Sequence, residues 1–469
     1  MEAFLHPLQG LAEFEEIKKR CGANCGILNV SGCMESQKVH LMYGLSGLFP
    51  YHLILADDER NAKEIYEDYR FYDKNVYFYP AKDLLFFQAD IHGNLLIRQR
   101  MRVIRALLEQ EEVTVVTSID GCMDFLMPLE KIRSRLLHFK SDSVIDLDQL
   151  KEELVELGYE RTGQVELPGQ FSVRGGIIDI YPLTEDNPWR IELWDDEVDS
   201  IRSFDAESQR SLENVDEITI YPAAEKMDGE DMVSFLDYFP EEKTLVFLDE
   251  LNHLAENGEG VEEEYRQSRM HREEKGEANL PEQWLCGFQE LQKKLNRRNC
   301  VAVSALSPRR SGWKINEEFD LTVKSVDSYN SSFELLVKDL LQYKSQGYRI
   351  ALLSGSRTRA ERLAKDLSEE GLNAFYSQDM DRIISPGEIM VVYGHARRGF
   401  QYPLIKFAVM TETDIFGKEQ KKRKKKKKYS GNRIQDFAEL SIGDLVVHEK
   451  HGLGIYRGIE KVEVDRVVK

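Results

Sequence analysis

The stretch Gly26-Ile-Leu-Asn-Val-Ser-Gly-Cys-Met-Glu-Ser36 decides the fold. Gly26–Val30 is a short, mostly apolar run and reads as a buried strand. Gly32 then turns the chain into a helical pattern. Strand, glycine turn and helix start together are the layout of a P-loop. There, backbone amides cradle phosphate, a Lys neutralises it and a Ser or Thr hydroxyl holds magnesium. The layout is kept here but the chemistry is not. Gly32 remains, yet Met34 stands where the second Gly belongs and Glu35 where the Lys belongs. An anion at that position repels a triphosphate. Lys38 lies three residues further on, too far round the helix to substitute simply. We therefore expect a degenerate P-loop at Gly32, Met34, Glu35 and Ser36, with no cofactor for this chain.

Working outward, further apolar runs recur at His52–Ala56, Val76–Tyr79 and Val113–Thr117, separated by helical patterns at Asn61–Tyr69 and Leu96–Glu109. Short apolar runs alternating with helices predict a parallel sheet with α/β crossovers. From Leu136 the pattern changes. A helix at Leu147–Leu157 ends at Gly158, a plausible C′ cap. Close-spaced strands follow at Ile177–Tyr181, Arg190–Trp194, Val198–Phe204 and Ile218–Tyr221, with Asp195-Asp196 as a hairpin link and Gly175-Gly176 as a backbone bend. This is a small α+β insert. Strands at Thr244–Leu248, Cys300–Ser304 and Leu321–Val323, with a charged helix over Val261–Lys275, return to the first pattern. A second α/β pattern follows, with helices at Phe333–Gln346 and Arg357–Glu370 and strands at Tyr348–Ser354, Glu388–Tyr393 and Lys406–Thr411.

Residues 418–428 carry nine positive charges and one negative. Like charges at that density repel, so the run reads as a solvated linker, with phosphate contact as the second reading. The last segment is strand-rich, with expected strands at Asp444–Glu449, Gly454–Ile459 and Val462–Val468. Thirty-five residues bury too little surface to fold alone, so the C-terminus reads as a truncation.

Acidic residues outnumber basic ones, 83 to 63, for a net charge of −20 over 469 residues. That argues against a general DNA-coating protein, which needs a basic surface. No apolar run is long enough to span a membrane, and Met1–Gly10 lacks a signal-peptide pattern. Six cysteines are too few and too scattered for a disulfide framework, and Cys21, Cys25 and Cys33 have no second pair to complete a zinc site. They suit a reducing, cytoplasmic location. No His-Glu-x-x-His set exists, and His271-Arg-Glu273 has no downstream Pro-Cys-x-x-Cys. His448 and His451 suit turn and core roles better than metal. The sequence speaks for binding rather than chemistry.

Two stretches carry a specific resemblance. Arg174-Gly-Gly-Ile-Ile-Asp-Ile-Tyr-Pro182 and Arg190-Ile-Glu-Leu-Trp-Asp-Asp-Glu-Val-Asp-Ser-Ile-Arg-Ser-Phe-Asp205 resemble UvrB, whose domains 1a, 2 and 1b match the first three segments. UvrB itself is excluded. The P-loop lysine is gone, and the Tyr-rich hairpin is replaced by the shorter Ala-Lys-Asp-Leu-Leu-Phe-Phe-Gln88. Leu440-x-x-Gly-Asp-Leu-Val-Val-His-Glu-Lys-His-Gly-Leu-Gly-Ile-Tyr456 resembles the start of a CarD-type RNA polymerase interaction domain. Together, in this order, they resemble the N-terminal part of the transcription-repair coupling factor family.

The resemblance implies a multidomain α/β fold. Its parts would be a UvrB-like domain 1a at 1–135, an inserted UvrA-binding α+β domain at 136–221 and domain 1b at 222–325. A second α/β domain would occupy 326–416, a basic linker 417–434 and a truncated all-β CarD/Tudor-like barrel 435–469. It implies UvrA as a partner through Arg174, Arg190 and Trp194, and the RNA polymerase β subunit through Ile459 and Val462. It implies that ATP and magnesium serve a DNA-translocating motor that is missing here. Strand alternation supports the first site, since Arg190, Glu192 and Trp194 share one face and Ile191 and Leu193 the other. We expect the apolar pair inward and the Arg and Trp outward. The competing readings are a UvrB-like ATPase or helicase with an atypical site, and a CarD-like regulator with an unrelated N-terminal half.

Overall fold

The computed structural model describes residues 1–21, 26–82, 94–224, 232–274, 285–308 and 312–417, and the backbone of four short strands between 445 and 468. Residues 418–428, Glu449, His451, Ile459 and Val462 lie outside the described residues, as do Cys25, most of the Ala81–Gln88 stretch and the His271 side chain.

The first unit is a seven-stranded, wholly parallel sheet. Its order is Ile315–Asp320, Ile27–Ser31, Asn299–Val303, Thr244–Asp249, Tyr51–Ala56, Val113–Ser118 and Val76–Tyr79. The central strands are buried at nearly every position because helices cover both faces. Segments before and after the insert thus interleave in one sheet. Helix Glu59–Tyr72 starts where the Asp58 carboxylate accepts the Asn61 N–H at 2.6 Å.

The insert holds a six-stranded sheet. Strands Gln170–Arg174, Ile177–Ile180, Trp189–Trp194, Glu197–Phe204 and Ser211–Val215 form an antiparallel meander, and Glu160–Arg161 adds a parallel edge. Helix Leu147–Glu156 ends at Leu157, and Gly158 follows with φ +88°, the left-handed geometry that suits glycine. The entry and exit strands, Leu137–Lys140 and Glu217–Ile220, pair with each other. The insert has its own core of Leu154, Phe171, Ile178, Ile191, Val198 and Ile201. It meets helix Asn94–Glu109 through Leu183 and Tyr221, which are buried in one apolar cluster with Met101 and Ile104, and through charge. Arg98 and Arg102 contact Asp186 at 2.7 and 2.5 Å, Arg105 contacts Glu185 at 2.5 Å, and Tyr221 Oη donates to Glu109 at 2.6 Å.

The third unit is a six-stranded mixed sheet ordered Lys324–Ser325, Phe400–Tyr402, Phe407–Thr411, Arg349–Ser354, Glu388–Tyr393 and Asn373–Tyr376. It shares one apolar core with the first unit, in which Phe4, Leu41 and Met42 pack with Met390, Phe400 and Phe407. Polar groups close the same joint. The fully buried Asp68 takes the Ser36 Oγ–H at 2.7 Å, the Arg397 backbone N–H at 3.0 Å and Arg397 Nε at 3.0 Å, while Arg397 Nη1 reaches Glu64.

One expectation needs correction. Leu321–Val323 is not a strand; the pairing edge lies earlier, at Ile315–Asp320, where every second residue is exposed and the apolar run is therefore broken. Of the expected strand Val462–Val468, the described residues are Glu463–Val464 and Val467–Val468, which pair antiparallel; the others lie outside the described residues. Leu445–His448 pairs with Gly452–Ile455, so Gly452 and Gly454 lie within the pairing; the rest of the expected strand Gly454–Ile459 lies outside the described residues.

Removing the Arg397 guanidinium leaves Asp68 buried without its counter-charge. Arg397→Ala should cost roughly 3–5 kcal/mol, the range for breaking a buried ion pair. Urea denaturation followed by circular dichroism measures it, and a loss within about 0.5 kcal/mol would mark the pair as dispensable.

Candidate binding face and the altered phosphate loop

In a P-loop the amides after the first strand point at phosphate. Here they are used by the protein. The Cys33 N–H donates to the Ser304 carbonyl at 3.1 Å, and the Met34 N–H donates to Gln37 Oε1 at 3.0 Å, so Gln37 caps its own helix. Gly32 has φ +76°, and a Cβ there would sit 2.2 Å from the Leu321 carbonyl oxygen. The glycine is required by the approach of that backbone. Glu35 projects toward Arg398, 3.8 Å away, and Ser36 Oγ accepts the Arg398 N–H at 3.1 Å besides donating to Asp68. Each of the four P-loop positions thus has a protein role.

Sequence reasoning missed the partner of Lys38. Its side chain is 11% exposed, and its ammonium lies 2.7 Å from Asp249 Oδ1 and 2.6 Å from Glu250 Oε1, at the end of strand Thr244–Asp249. An Asp-Glu pair closing an apolar strand is where a P-loop enzyme places its magnesium-binding acid. Thr244-Leu-Val-Phe-Leu-Asp-Glu250 carried that signal. Lys38 now supplies the positive charge between the acids. Burial pulls the Lys38 ammonium down, but Asp249 and Glu250 outweigh it and hold it above its ordinary value. Burial lifts the Asp249 carboxyl despite Lys38 and Asn61, which donates to it at 2.7 Å.

On the insert, two tight turns fall at one end of the sheet. Gly175, with φ +61°, and Gly176 link Arg174 to Ile177; Asp195, with φ +61°, and Asp196 link Trp194 to Glu197. The Leu193 N–H donates to the Gly176 carbonyl at 2.8 Å, which ties the turns together. Ile191 is fully buried and Leu193 half-buried, as alternation requires.

The opposite face carries Arg174, Arg190 and Trp194, but not as three equally free groups. Trp194 is 80% exposed and the Arg174 side chain 46%. The Arg190 side chain is only 13% exposed, which corrects the expectation that it projects outward. It donates through Nε and Nη2 to the buried Asp179 at 2.6 and 2.9 Å and to Gln209 at 3.1 Å, and it lies 4.4 Å over the Phe204 ring. Arg174 Nη2 reaches the same Asp179 at 2.7 Å. One buried carboxylate therefore fixes both guanidiniums. Beside them Arg202 pairs with Glu192. The Asp179 side chain raises the Arg190 pKa further. Alternation gives the face of a residue but not its cross-strand partner, and Asp179 lies directly opposite Arg190.

Comparison with known proteins adds to this geometry. Residues 137–225 match the UvrB interaction domain, and residues 440–469 match the CarD-like/TRCF RID domain. The transcription-repair-coupling factor of Bacillus subtilis (strain 168) is 28% identical over 514 aligned positions, covering 94% of this chain and 44% of that protein. The chain is transcription-repair-coupling-factor-like. The corresponding factors of Staphylococcus aureus (strain MRSA252) and Staphylococcus epidermidis (strain RP62A) are 26% and 27% identical, covering 84% and 88% of this chain. It spans less than half the length of these relatives.

Lys38→Met leaves two acids facing each other, one of them buried. At neutral pH it should lose roughly 3–5 kcal/mol of stability. The Asp249 carboxyl lies above its unfolded value, so its charged form opposes folding as pH rises through the folded pKa. Without Lys38 that opposition grows. The stability gap between variant and parent should therefore shrink as pH is lowered toward the carboxylate range. Denaturation at several pH values tests the sign; a gap independent of pH would contradict it.

Proposed function

We propose that this chain is a recruitment scaffold that binds UvrA through its insert and helps to link stalled RNA polymerase to nucleotide excision repair. The observation that carries the reading is the UvrB interaction domain over 137–225, whose polar face presents an 80% exposed Trp194 beside Arg174. An exposed Trp next to Arg is the composition of a binding hot spot. Arg190 belongs to the same site and acts partly by fixing it with Asp179. The match at 440–469 supports docking to RNA polymerase, and we assign it to the β subunit with Ile459 and Val462 as contacts. Such a segment adds strand to strand, through main-chain amides at a sheet edge. In the family, ATP-driven translocation on DNA belongs to a motor; this chain supplies recruitment.

The phosphate loop supports the non-enzymatic side of the proposal. Its amides are donated to Ser304 and Gln37, an acid replaces the lysine, and Lys38 sits between Asp249 and Glu250. This donor set does not fit a nucleoside triphosphate. The competing reading, an ATPase with an atypical site, draws on that Asp-Glu pair and would have to displace Lys38. Calorimetric titration with Mg-ATP should show no saturable heat. Micromolar binding that disappears on changing Ser36 would replace the scaffold with the ATPase.

For UvrA, Trp194→Ala and Arg174→Ala should each weaken binding by about 2 kcal/mol, near thirtyfold; Trp194→Ala should leave stability within about 0.5 kcal/mol, whereas Arg174→Ala also takes one hydrogen bond from the buried Asp179 and should lower stability by about 1 kcal/mol. Arg190→Ala should weaken binding and also destabilise the insert, because Asp179 loses two of its hydrogen bonds. Affinity for UvrA beside thermal melting separates the two effects. Normal UvrA affinity in the Trp194 variant would remove this face from the interface.

A further inference from the structure

A cavity of about 500 Å³ opens at the end of the parallel sheet opposite the phosphate loop, where strands Tyr51–Ala56, Val76–Tyr79 and Val113–Ser118 begin. We propose that it binds a small organic ammonium ion. The charge around it has one sign. Asp73 and Glu112 line it, and among the described residues no Lys or Arg does. Two helix C-termini converge on it: Glu35–Ser46 with Gly47 as its cap, and Glu59–Tyr72 with Asp73 as its cap. Each brings roughly half a negative charge in its terminal carbonyls. His52 adds no opposing charge, since burial pulls its pKa to about 4.

The rest of the lining suits an organic cation. Tyr43 and Tyr72 stack with centroids 5.1 Å apart, and Phe49 stands on the same wall. Aromatic faces attract ammonium groups and their methylene carbons. Among the lining residues, Tyr72 Oη is buried without a hydrogen-bond partner, although such groups are normally paired, whereas the His52 ring is held by Thr114 Oγ1 and the backbone of Ser46 and Phe49. Among the described residues no group of three His, Cys, Asp or Glu is placed to hold a metal ion. The volume falls in the range of small-molecule pockets and is far larger than a bare ion needs.

The probe is 1,4-diaminobutane, titrated calorimetrically into the full chain at physiological salt, with neutral 1,4-butanediol as its uncharged counterpart. The diamine should bind saturably and the diol should not. Glu112→Gln, on an exposed side chain, and Asp73→Asn should each weaken the diamine about tenfold or more, as expected when a charged hydrogen-bond partner is removed. A chain of net charge −20 attracts polyamines diffusely over its surface, and diffuse attraction is indifferent to either substitution. Absent saturable heat, equal binding of the diol, or unchanged affinity in both variants would each overturn the proposal.

Discussion

Helix Glu35–Ser46 is buried on almost every side, and its polar residues are buried with it. Ser36, Gln37, Lys38 and His40 all lie inside. Water cannot satisfy them, so other segments must. Asp68 on helix Glu59–Tyr72 takes Ser36, Asp249 and Glu250 take Lys38, and Tyr402 of the third unit meets both Gln37 and His40. The Phe4 carbonyl lies 3.0 Å from His40 Nε2 and completes the set. Apolar packing alone tolerates small slips between layers. Directed bonds from one helix to four segments do not, because each slip strands a buried polar group. The helix that begins a phosphate loop in other proteins here fixes how the first and third units sit together.

Much of this architecture was legible because parallel strands announce themselves. Apolar runs at 26–30, 52–56, 76–79 and 113–117 all became strands within a residue or so, since burial on both faces demands continuous hydrophobicity. The hairpin at Asp195-Asp196 was legible for a similar reason, as a two-residue acidic link between alternating runs permits little else. Edge strands were not. Ile315–Asp320 alternates, and Ser211–Val215 has no buried residue, so neither carries the apolar signal. Their formation depends on a sheet edge already in place, which no local pattern encodes.

The candidate site was legible to the same depth. Period-two alternation placed Arg190 and Trp194 on the face away from Ile191, and the structure has them there. What alternation lacks is the neighbouring strand. Asp179 faces Arg190 across the pair, and that contact turns an exposed cation into a largely shielded one. The same blindness hid the lysine. Lys38 looked misplaced while the helix was considered alone, yet Asp249 and Glu250 lie at the end of a strand more than two hundred residues later. Both misses concern partners distant in sequence, and both concern charges whose burial is acceptable only because the partner exists.

These contacts make two kinds of joint. First and third units share an apolar core crossed by buried ion pairs, which solvent ions screen weakly. The insert has a core of its own and rests on helix Asn94–Glu109 through the buried Leu183 and Tyr221 and through the ion pairs of Asp186, 82% exposed, and Glu185. Exposed ion pairs contribute little and are screened at physiological salt. The insert is therefore seated by that apolar contact more than by its charges. Its recognition face stays ordered, because Arg174 and Arg190 are tied to Asp179 within the same sheet rather than to the body. A face fixed from inside its own module can keep its shape while the module's seat on the rest of the chain shifts. That division suits a surface that must present one constant shape to a large partner.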